Sequence, residues 1–154
     1  MMATVGLPPF ERFYLEHRDE VFRYLLRVLG RQAAEDAFQE TFLRALRAYP
    51  RLEHGRQLRA WVFTIASRIA VDEQRRRKPV GELPEEGASD APAPHEELAE
   101  LTGALPPKER AAVVLRYGYD LSYEDIGAAL GASEEAARQA ASSGVRRLRN
   151  GRNK

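Results

Sequence analysis

A proline- and acid-rich segment divides this chain into two parts, and this division constrains the fold more than any other feature. Residues 78–97 contain four prolines and two glycines, and Val80 and Leu83 are almost the only large apolar side chains among them. Such a composition predicts an extended, flexible linker. On either side the apolar residues recur at helical spacing without a strand-like alternation. The sequence therefore predicts an all-α protein of two small helical domains, residues 1–78 and 101–154, joined by an acidic linker at 79–100.

The charges are segregated along the chain, so the net charge of +1 is misleading. Residues 1–78 carry 15 basic and 10 acidic side chains, residues 79–100 carry none and 7, and residues 101–154 carry 9 and 6. Two basic domains joined by an acidic linker favour nucleic acid as a partner. The acidic linker by itself is typical of a solvated segment.

Several classes of protein are not expected from this composition. The chain has no cysteine, which excludes disulfides and thiolate metal sites and fits a reducing cytoplasm. No apolar run is long enough to predict a membrane span, and residues 1–9 do not resemble a secretory signal. The three histidines lie far apart, so neither a metal site nor a cofactor nor a catalytic centre is expected.

The N-terminal part shows helical spacing throughout. We expect four helical pieces, counting a break between the first two. The first helix is predicted at about Phe10 to Leu29 and ends at Gly30. The second runs from about Ala33 to Ala48, ahead of a proline, and the third from about Leu58 to Arg77.

The predicted third helix combines an apolar face with a basic end. The apolar face consists of Leu58, Trp61, Val62, Ile65 and Ile69, and the other side carries Ser67, Arg68, Gln74, Arg75 and Lys78. Because Trp61 lies on the apolar face, it is predicted to be a core residue. The four successive cations from Arg75 to Lys78 exceed what stabilisation of the helix dipole needs, and they suit contact with phosphates.

The predicted second helix has a polar ridge whose role the residues alone leave open. Asp36, Gln39, Glu40 and Arg44 follow helical spacing and line one side of it. Its carboxylates have no nucleophile, histidine or glycine-rich loop near them, so an active site is not expected. A ridge of this kind is usually a solvated face.

The C-terminal part has the layout of a helix-turn-helix. A first helix opens at the prolines 106 and 107 and should end near Gly118. Two further helices follow, joined by a tight turn at Gly131, and Ser122 and Ser133 are placed to cap their N-termini. In a helix-turn-helix the second of these helices enters the DNA major groove.

The last helix carries side chains suited to DNA. Arg138 and Gln139 are able to form bidentate contacts with guanine or adenine edges. Arg146, Arg147 and Arg149 suit phosphates. A helical hairpin that binds another protein is the alternative interpretation.

Three motifs in this order resemble the extracytoplasmic-function (ECF) class of bacterial RNA polymerase sigma factors, in the sigma-70 family. The first, AEDAFQETFLRA at 34–45, resembles the family's region 2.2. The second, LRAWVFTIASRIAVD at 58–72 with the arginines after it, resembles regions 2.3 and 2.4. The third resembles region 4 and comprises LPPKER at 105–110, LRY at 115–117 and LSYEDIG at 121–127. The resemblance covers about residues 10–149.

The resemblance implies a non-enzymatic cytoplasmic protein that binds core RNA polymerase and directs promoter-specific initiation of transcription. Region 2.2 would dock on the clamp helices of the beta-prime subunit through Asp36, Gln39, Glu40, Phe42 and Leu46. The loop 51–57 and the helix after it would open the promoter's −10 element, and region 4 would contact the beta flap and read the −35 element. An anti-sigma factor is a further implied partner. The implied DNA-binding residues are Arg59, Phe63, Arg68, Arg75, Arg76, Arg77, Ser133, Glu134, Arg138, Gln139, Ser142, Arg146 and Arg147.

The chain departs from the family pattern in two places. Ala140 and Ser143 stand where recognition helices commonly carry basic residues, so Arg138 and Gln139 are expected to make most base contacts. After Arg68 the chain has Ile69, where region 2.3 commonly has asparagine. Two alternatives remain at this point. A helix-turn-helix regulator that does not replace a sigma subunit would explain the C-terminal part only, and a sigma mimic that titrates a regulator would not need the cations at 75–78.

Overall fold

The computed structural model describes residues 6–76 and 103–152, and all regular structure in these two ranges is helical. The first unit, residues 6–76, contains α1 (Phe10–Leu29), α2 (Arg31–Ala48), a short 3-10 turn at Tyr49–Arg51 and α3 (Leu58–Arg76). The second unit, residues 103–152, contains α4 (Pro107–Val113), a π turn at Val114–Gly118, α5 (Tyr123–Leu130) and α6 (Glu134–Arg152). The prediction of two small all-α domains is confirmed. The predicted linker lies outside the described residues.

Local sequence determines where the helices of the first unit begin and end. Gly30 has a positive φ of 86°, which suits glycine, and its N–H donates to the Leu26 carbonyl at 2.9 Å as α1 ends. α2 starts at the next residue, so the predicted break between the two helices is Gly30 alone. α2 ends at Ala48 as predicted, and Pro50 lies in the 3-10 turn that follows.

Aromatic rings fill the centre of the first unit. Phe13 is fully buried, and its ring centroid lies 5.3 Å from that of Tyr49, 5.7 Å from that of Trp61 and 6.0 Å from that of Phe42. Tilted ring pairs of this kind contribute about 0.5–1.5 kcal/mol each beyond the area they bury. Trp61 packs against the core, which confirms its predicted place.

The helix-turn-helix begins each of its helices at a serine, as predicted. The Ser122 hydroxyl accepts from the Asp125 N–H at 3.1 Å, and the Ser133 hydroxyl accepts from the Ala136 N–H at 3.0 Å. Such N-caps stabilise a helix by about 1 kcal/mol each. Between the helices Gly131 takes a left-handed φ of 69°, which confirms the predicted turn.

Two close backbone approaches set the geometry of the second unit. A Cβ atom on Gly127 would lie 2.8 Å from the Ala132 carbonyl oxygen, so only glycine fits where the turn folds back on α5. A Cβ atom on Gly144 would lie only 2.6 Å from the Val113 side chain. Because glycine has no Cβ, α6 packs tightly on α4 at this position. Ala137, also on α6, is fully buried. These small residues therefore let α6 pack against both α4 and α5.

The two units pack against each other along α3 and α5, and their buried side chains form one continuous core. This packing corrects one predicted feature of α3. Ser67 was expected on the polar side, but it is fully buried, and its hydroxyl lies 2.7 Å from the Tyr24 hydroxyl. Helical spacing identifies a single apolar face, whereas α3 is covered both by its own unit and by the second one.

Candidate nucleic-acid and protein interfaces

The outer face of α2 is open to solvent and partly apolar. Leu43 and Leu46, which are neighbours on one side of the helix, are 47% and 49% exposed. Asp36 and Gln39, on the predicted polar ridge, are also exposed. We call these four side chains the α2 face. Apolar side chains rimmed by polar ones are typical of protein-binding surfaces.

The other predicted contacts on α2 are more enclosed. Glu40 forms an ion pair with Arg44 at 2.8 Å. Phe42 is 7% exposed and contributes its ring mainly to the core. An open groove of roughly 420 Å³ lies beside the α2 face, and its lining residues are Phe10, Tyr14, Phe38, Gln39, Phe42, Leu43 and Leu46. The groove offers an apolar floor with an exposed amide at its edge.

The start of α3 is engaged by protein atoms. The Arg59 guanidinium forms a bidentate pair with the Glu20 carboxylate at 2.8–3.1 Å, and it also donates to the Tyr119 carbonyl at 3.0 Å. The hydrogen bonds that the Arg59 guanidinium donates to the Glu20 carboxylate raise the pKa of Arg59, so this guanidinium stays charged. Glu20 was not predicted to take part, because its partner lies 39 positions away in the sequence.

The middle of α3 is covered by the second unit. Phe63, a predicted DNA contact, is fully buried, with its ring centroid 5.2 Å from that of Tyr119. Arg68 is exposed, but one of its N–H groups donates to the Ala128 carbonyl of α5 at 3.2 Å. In this arrangement Phe63 has no access to DNA.

The end of α3 is open. Arg75 and Arg76 are exposed, and Arg76 forms an i, i+3 ion pair with Glu73 at 2.5 Å. Arg77 and Lys78 lie outside the described residues. The described part of the predicted phosphate patch therefore faces solvent.

The N-terminal half of α6 presents its predicted base-reading side chains to solvent. Arg138 and Gln139 are exposed, as are Ser133, Glu134 and Ser142. The Arg138 guanidinium lies 3.3 Å from the Glu134 carboxylate and 4.8 Å from the centroid of the Tyr123 ring. Arg116 covers the same ring at 4.3 Å, so Tyr123 is held between two cations. Tyr123 was not predicted to have this role, since nothing in its sequence spacing indicates it.

The remaining basic side chains of α6 differ in their partners. Arg146 and Arg149 are exposed. Arg147 instead forms an ion pair with Glu109 of α4 at 2.8 Å. This pair ties the end of α6 to α4, so Arg147 has a structural contact besides its predicted role on DNA.

Tyr119 and Arg27 form a contact between the units that the sequence did not indicate. Arg27 is buried, donates to the Tyr119 hydroxyl and lies with its guanidinium carbon 5.0 Å from the ring centroid. Burial raises the pKa of Tyr119, so its hydroxyl remains protonated at neutral pH. The two residues lie 92 positions apart, so no local sequence pattern connects them.

Two negative findings apply to the described ranges. Within residues 6–76 and 103–152, no three acidic or histidine side chains come together as metal ligands would. In the same ranges, no helix has the length and apolar character that crossing a membrane requires.

Two family models match the chain. The sigma-70 region 2 model matches residues 13–80, and the sigma-70 region 4 model matches residues 101–150. The chain is 34% identical to the RNA polymerase sigma factor CarQ of Myxococcus xanthus, over 91% of this chain and 87% of CarQ. It is 33% identical to the ECF RNA polymerase sigma factor SigE of Mycolicibacterium smegmatis, over 94% of this chain but only 62% of SigE.

Two solved structures of sigma factors are also similar to the chain. The sigma factor RpoE of Bartonella quintana, solved with the anti-sigma factor NepR, superposes with a TM-score of 0.74 at 21% identity, over 92% of this chain and 94% of RpoE. That likeness establishes the fold. The ECF sigma factor SigJ of Mycobacterium tuberculosis gives a TM-score of 0.61 at 28% identity, over 90% of this chain and 52% of SigJ. The chain belongs to the ECF class of the sigma-70 family. Members of this family are promoter-recognising initiation factors and not enzymes.

Proposed function

We propose that the chain binds core RNA polymerase through the α2 face, opens the −10 element through α3 and reads the −35 element through α6. The α2 face carries this proposal. Leu43 and Leu46 stay half-exposed in a segment that resembles region 2.2, next to the acidic and amide side chains of Asp36 and Gln39. Large apolar side chains left in solvent on a folded domain favour a protein partner over simple solvation.

The groove beside the α2 face supports a helical partner. Its lining is mostly aromatic and aliphatic, with the Gln39 amide at the edge, and such a groove can receive the apolar face of an amphipathic helix. The clamp helices of the beta-prime subunit are the partner that the family resemblance implies. Asp36, Gln39, Glu40, Phe42 and Leu46 would form this contact, with Phe42 supporting it from the core.

DNA binding is assigned to α3 and α6. On α6, Arg138 and Gln139 would contact base edges, and Ser133, Glu134, Ser142, Arg146 and Arg147 would surround them. On α3, Arg59, Phe63 and Arg68 would act at the −10 element, and the cations at 75–77 would contact phosphates. Each unit is small, so binding of the free chain to duplex DNA should be weak and strongly dependent on salt.

The proposed function also implies domain boundaries and protein partners for the chain. Residues 1–78 would form region 2, residues 79–100 an acidic linker, and residues 101–154 region 4. The beta flap would receive region 4, and the complex of RpoE with NepR supports the expectation of an anti-sigma factor as a further partner. Since RNA polymerase works in the cytoplasm, the chain would act there.

Reconstitution with core polymerase tests this proposal. Holoenzyme made from core polymerase and this chain should protect a defined set of genomic fragments, which sequencing identifies, and should give a run-off transcript of discrete length from them. Core polymerase alone is the control. A chain that binds the fragments without polymerase and yields no transcript would instead be a helix-turn-helix regulator.

A further inference from the structure

Residues 6–9, which we call the N-terminal segment, lie against the loop 51–57, although the two are far apart in the sequence. A Cβ atom on Gly55 would lie 2.6 Å from the Gly6 carbonyl oxygen and 3.5 Å from the Leu7 Cα atom. Both of these atoms belong to the backbone, so no side-chain movement would relieve the contact. The segment and the loop therefore touch at a position where any side chain would collide.

A hydrogen bond ties the N-terminal segment to the 3-10 turn that leads into the loop. The Tyr49 hydroxyl donates to the Pro8 carbonyl at 2.6 Å, across 41 positions of the sequence. The Tyr49 ring is 7% exposed and packs edge-on against Phe10, with 5.1 Å between the ring centroids. Buried tyrosine hydroxyls usually find such a partner. The segment is thus held at two points, by Tyr49 at Pro8 and by Gly55 at Gly6.

The loop 51–57 turns its polar side chains towards solvent. Leu52 packs against the core, whereas the exposed side chains of the loop are Arg51, Glu53, His54, Arg56 and Gln57. Gln57 has a positive φ of 58°, and its carbonyl accepts from the Trp61 N–H at 3.0 Å. Such a backbone conformation persists where the surrounding structure stabilises it. Side chains that suit contact with unpaired bases therefore stand on a loop whose backbone is fixed by its neighbours.

We propose that the N-terminal segment is a positioning element for the loop 51–57, and that it thereby sets how strongly the protein discriminates among −10 sequences. This inference rests on the proposed function, in which the loop acts at the −10 element. Base discrimination needs polar groups held within about 0.5 Å of their productive positions. A loop released from the segment would adopt several conformations and would contact correct and incorrect bases with more similar energies. The segment acts through the loop and need not touch DNA itself.

A matched pair of glycine variants tests the positioning. Gly55→Ala brings a Cβ atom against the Gly6 carbonyl, so the loop and the segment have to move apart. Gly6→Ala keeps that carbonyl and places its own Cβ atom in open space. Neither glycine has a positive φ, so alanine suits the backbone at both positions. The two variants therefore differ in the contact between segment and loop.

A pair of tyrosine variants tests the hydrogen bond. Tyr49→Phe keeps the ring in the core and removes the donor to the Pro8 carbonyl. Its control, Tyr24→Phe, removes another buried hydroxyl of the first unit, which lies 2.7 Å from the Ser67 hydroxyl. A general loss of stability would appear in both variants, whereas a loss of positioning should appear in Tyr49→Phe alone.

Open-complex formation on promoters with single −10 substitutions measures discrimination, as the ratio of the parent promoter to each substituted one. Gly55→Ala should reduce this ratio at least about fivefold, because it displaces the loop backbone. Tyr49→Phe should reduce it about two- to threefold, because it removes a single hydrogen bond. Gly6→Ala and Tyr24→Phe should match the wild type within about 1.5-fold, since neither alters the contact.

Circular dichroism checks that each variant retains its helices. If Gly55→Ala does not fold, Tyr49→Phe decides the question, because it keeps every ring of the core. Wild-type ratios in the folded test variants would overturn the inference. An equal loss of open complexes on parent and substituted promoters would also overturn it, because the segment would then only stabilise the fold.

The positioning and the proposed function fail in different ways. If the wild-type holoenzyme forms open complexes equally well on every −10 substitution, the proposed role of the loop at the −10 element fails. If the wild type discriminates and the test variants discriminate equally well, only the positioning by the N-terminal segment fails.

Discussion

Two neighbouring helices of the first unit, α2 and α3, both carry polar side chains that helical spacing assigns to solvent, yet they differ in what covers them. The α2 face is open, with Leu43 and Leu46 half-exposed. On α3 the corresponding side is covered by the second unit, and the Phe63 ring packs against Tyr119. The surface proposed to meet polymerase is therefore free, and the surface proposed to meet DNA is occupied.

The largest expected effect comes from the open face. Leu46→Asp places a charge at the centre of the α2 face and should weaken binding to core polymerase at least twentyfold, about 2 kcal/mol. The matched control is Leu15→Asp on α1, where the leucine is 54% exposed. The control should leave polymerase affinity unchanged within about twofold, as measured by fluorescence anisotropy. Equal losses for the two variants would mean that the α2 face has no special role.

A second prediction concerns the surface of α6, which is open like the α2 face and is proposed to contact DNA. Arg138→Ala should cost about 1–3 kcal/mol of discrimination at one −35 position. Arg149→Ala should weaken all promoters alike. Transcription from a set of −35 variants by the two holoenzymes measures the difference, and identical profiles would contradict the placement of Arg138.

Tyr123 offers a finer test of the same surface. Its ring lies between the guanidinium groups of Arg116 and Arg138, at 4.3 Å and 4.8 Å. Tyr123→Leu should keep the volume but lose the cation–π contact, and should reduce −35 discrimination about two- to threefold. Tyr123→Phe should retain the cation–π contact and therefore the −35 discrimination. A loss as large in the Phe variant would show that the hydroxyl, and not the ring, matters.

Local sequence predicted the parts of this structure that depend on neighbouring residues. Gly30, Ser122 and Ser133 mark helix ends because caps and left-handed turns involve only a few adjacent positions. Tyr24 and Ser67 were not predicted to be buried, because the contact between their hydroxyls joins residues 43 positions apart in the sequence. The role of Tyr119 depends on the same long-range packing, and no local period reveals it.

The two ends of α3 provide the next prediction, since the N-terminal end contacts the second unit and the C-terminal end is exposed to solvent. Replacing Arg75 and Arg76 together with Gln should weaken non-specific DNA binding of the free chain severalfold. It should also lower the slope of log affinity against log salt by about 2. Arg59→Gln should leave this slope unchanged in the free chain, because Arg59 is already bound to Glu20 and Tyr119.

The control for the double variant removes the same charge elsewhere. Arg12→Gln with Arg31→Gln alters two exposed cations of the first unit outside the proposed DNA surface. If this control lowers the salt slope equally, net charge and not the end of α3 accounts for the effect.

The smallest effect should be a pH dependence of stability through His17, which lies beside the engaged end of α3. Burial lowers the pKa of His17 below its ordinary value of 6.5, and Arg59 acts in the same direction, while Glu16 and Glu20 oppose both. The unfolded chain therefore binds this proton more tightly than the folded chain. The contribution to stability is complete above about pH 6.5 and decreases as the pH falls through that value.

Urea denaturation between pH 7.5 and 5.5 measures this decrease, which should be small because His17 is only partly buried. His17→Gln should flatten the profile. His54→Gln, in the exposed loop where His54 accepts from the Arg56 N–H at 3.2 Å, should leave it as it is. A profile that flattens only in the His54 variant would place the titrating group in the loop and not beside α3.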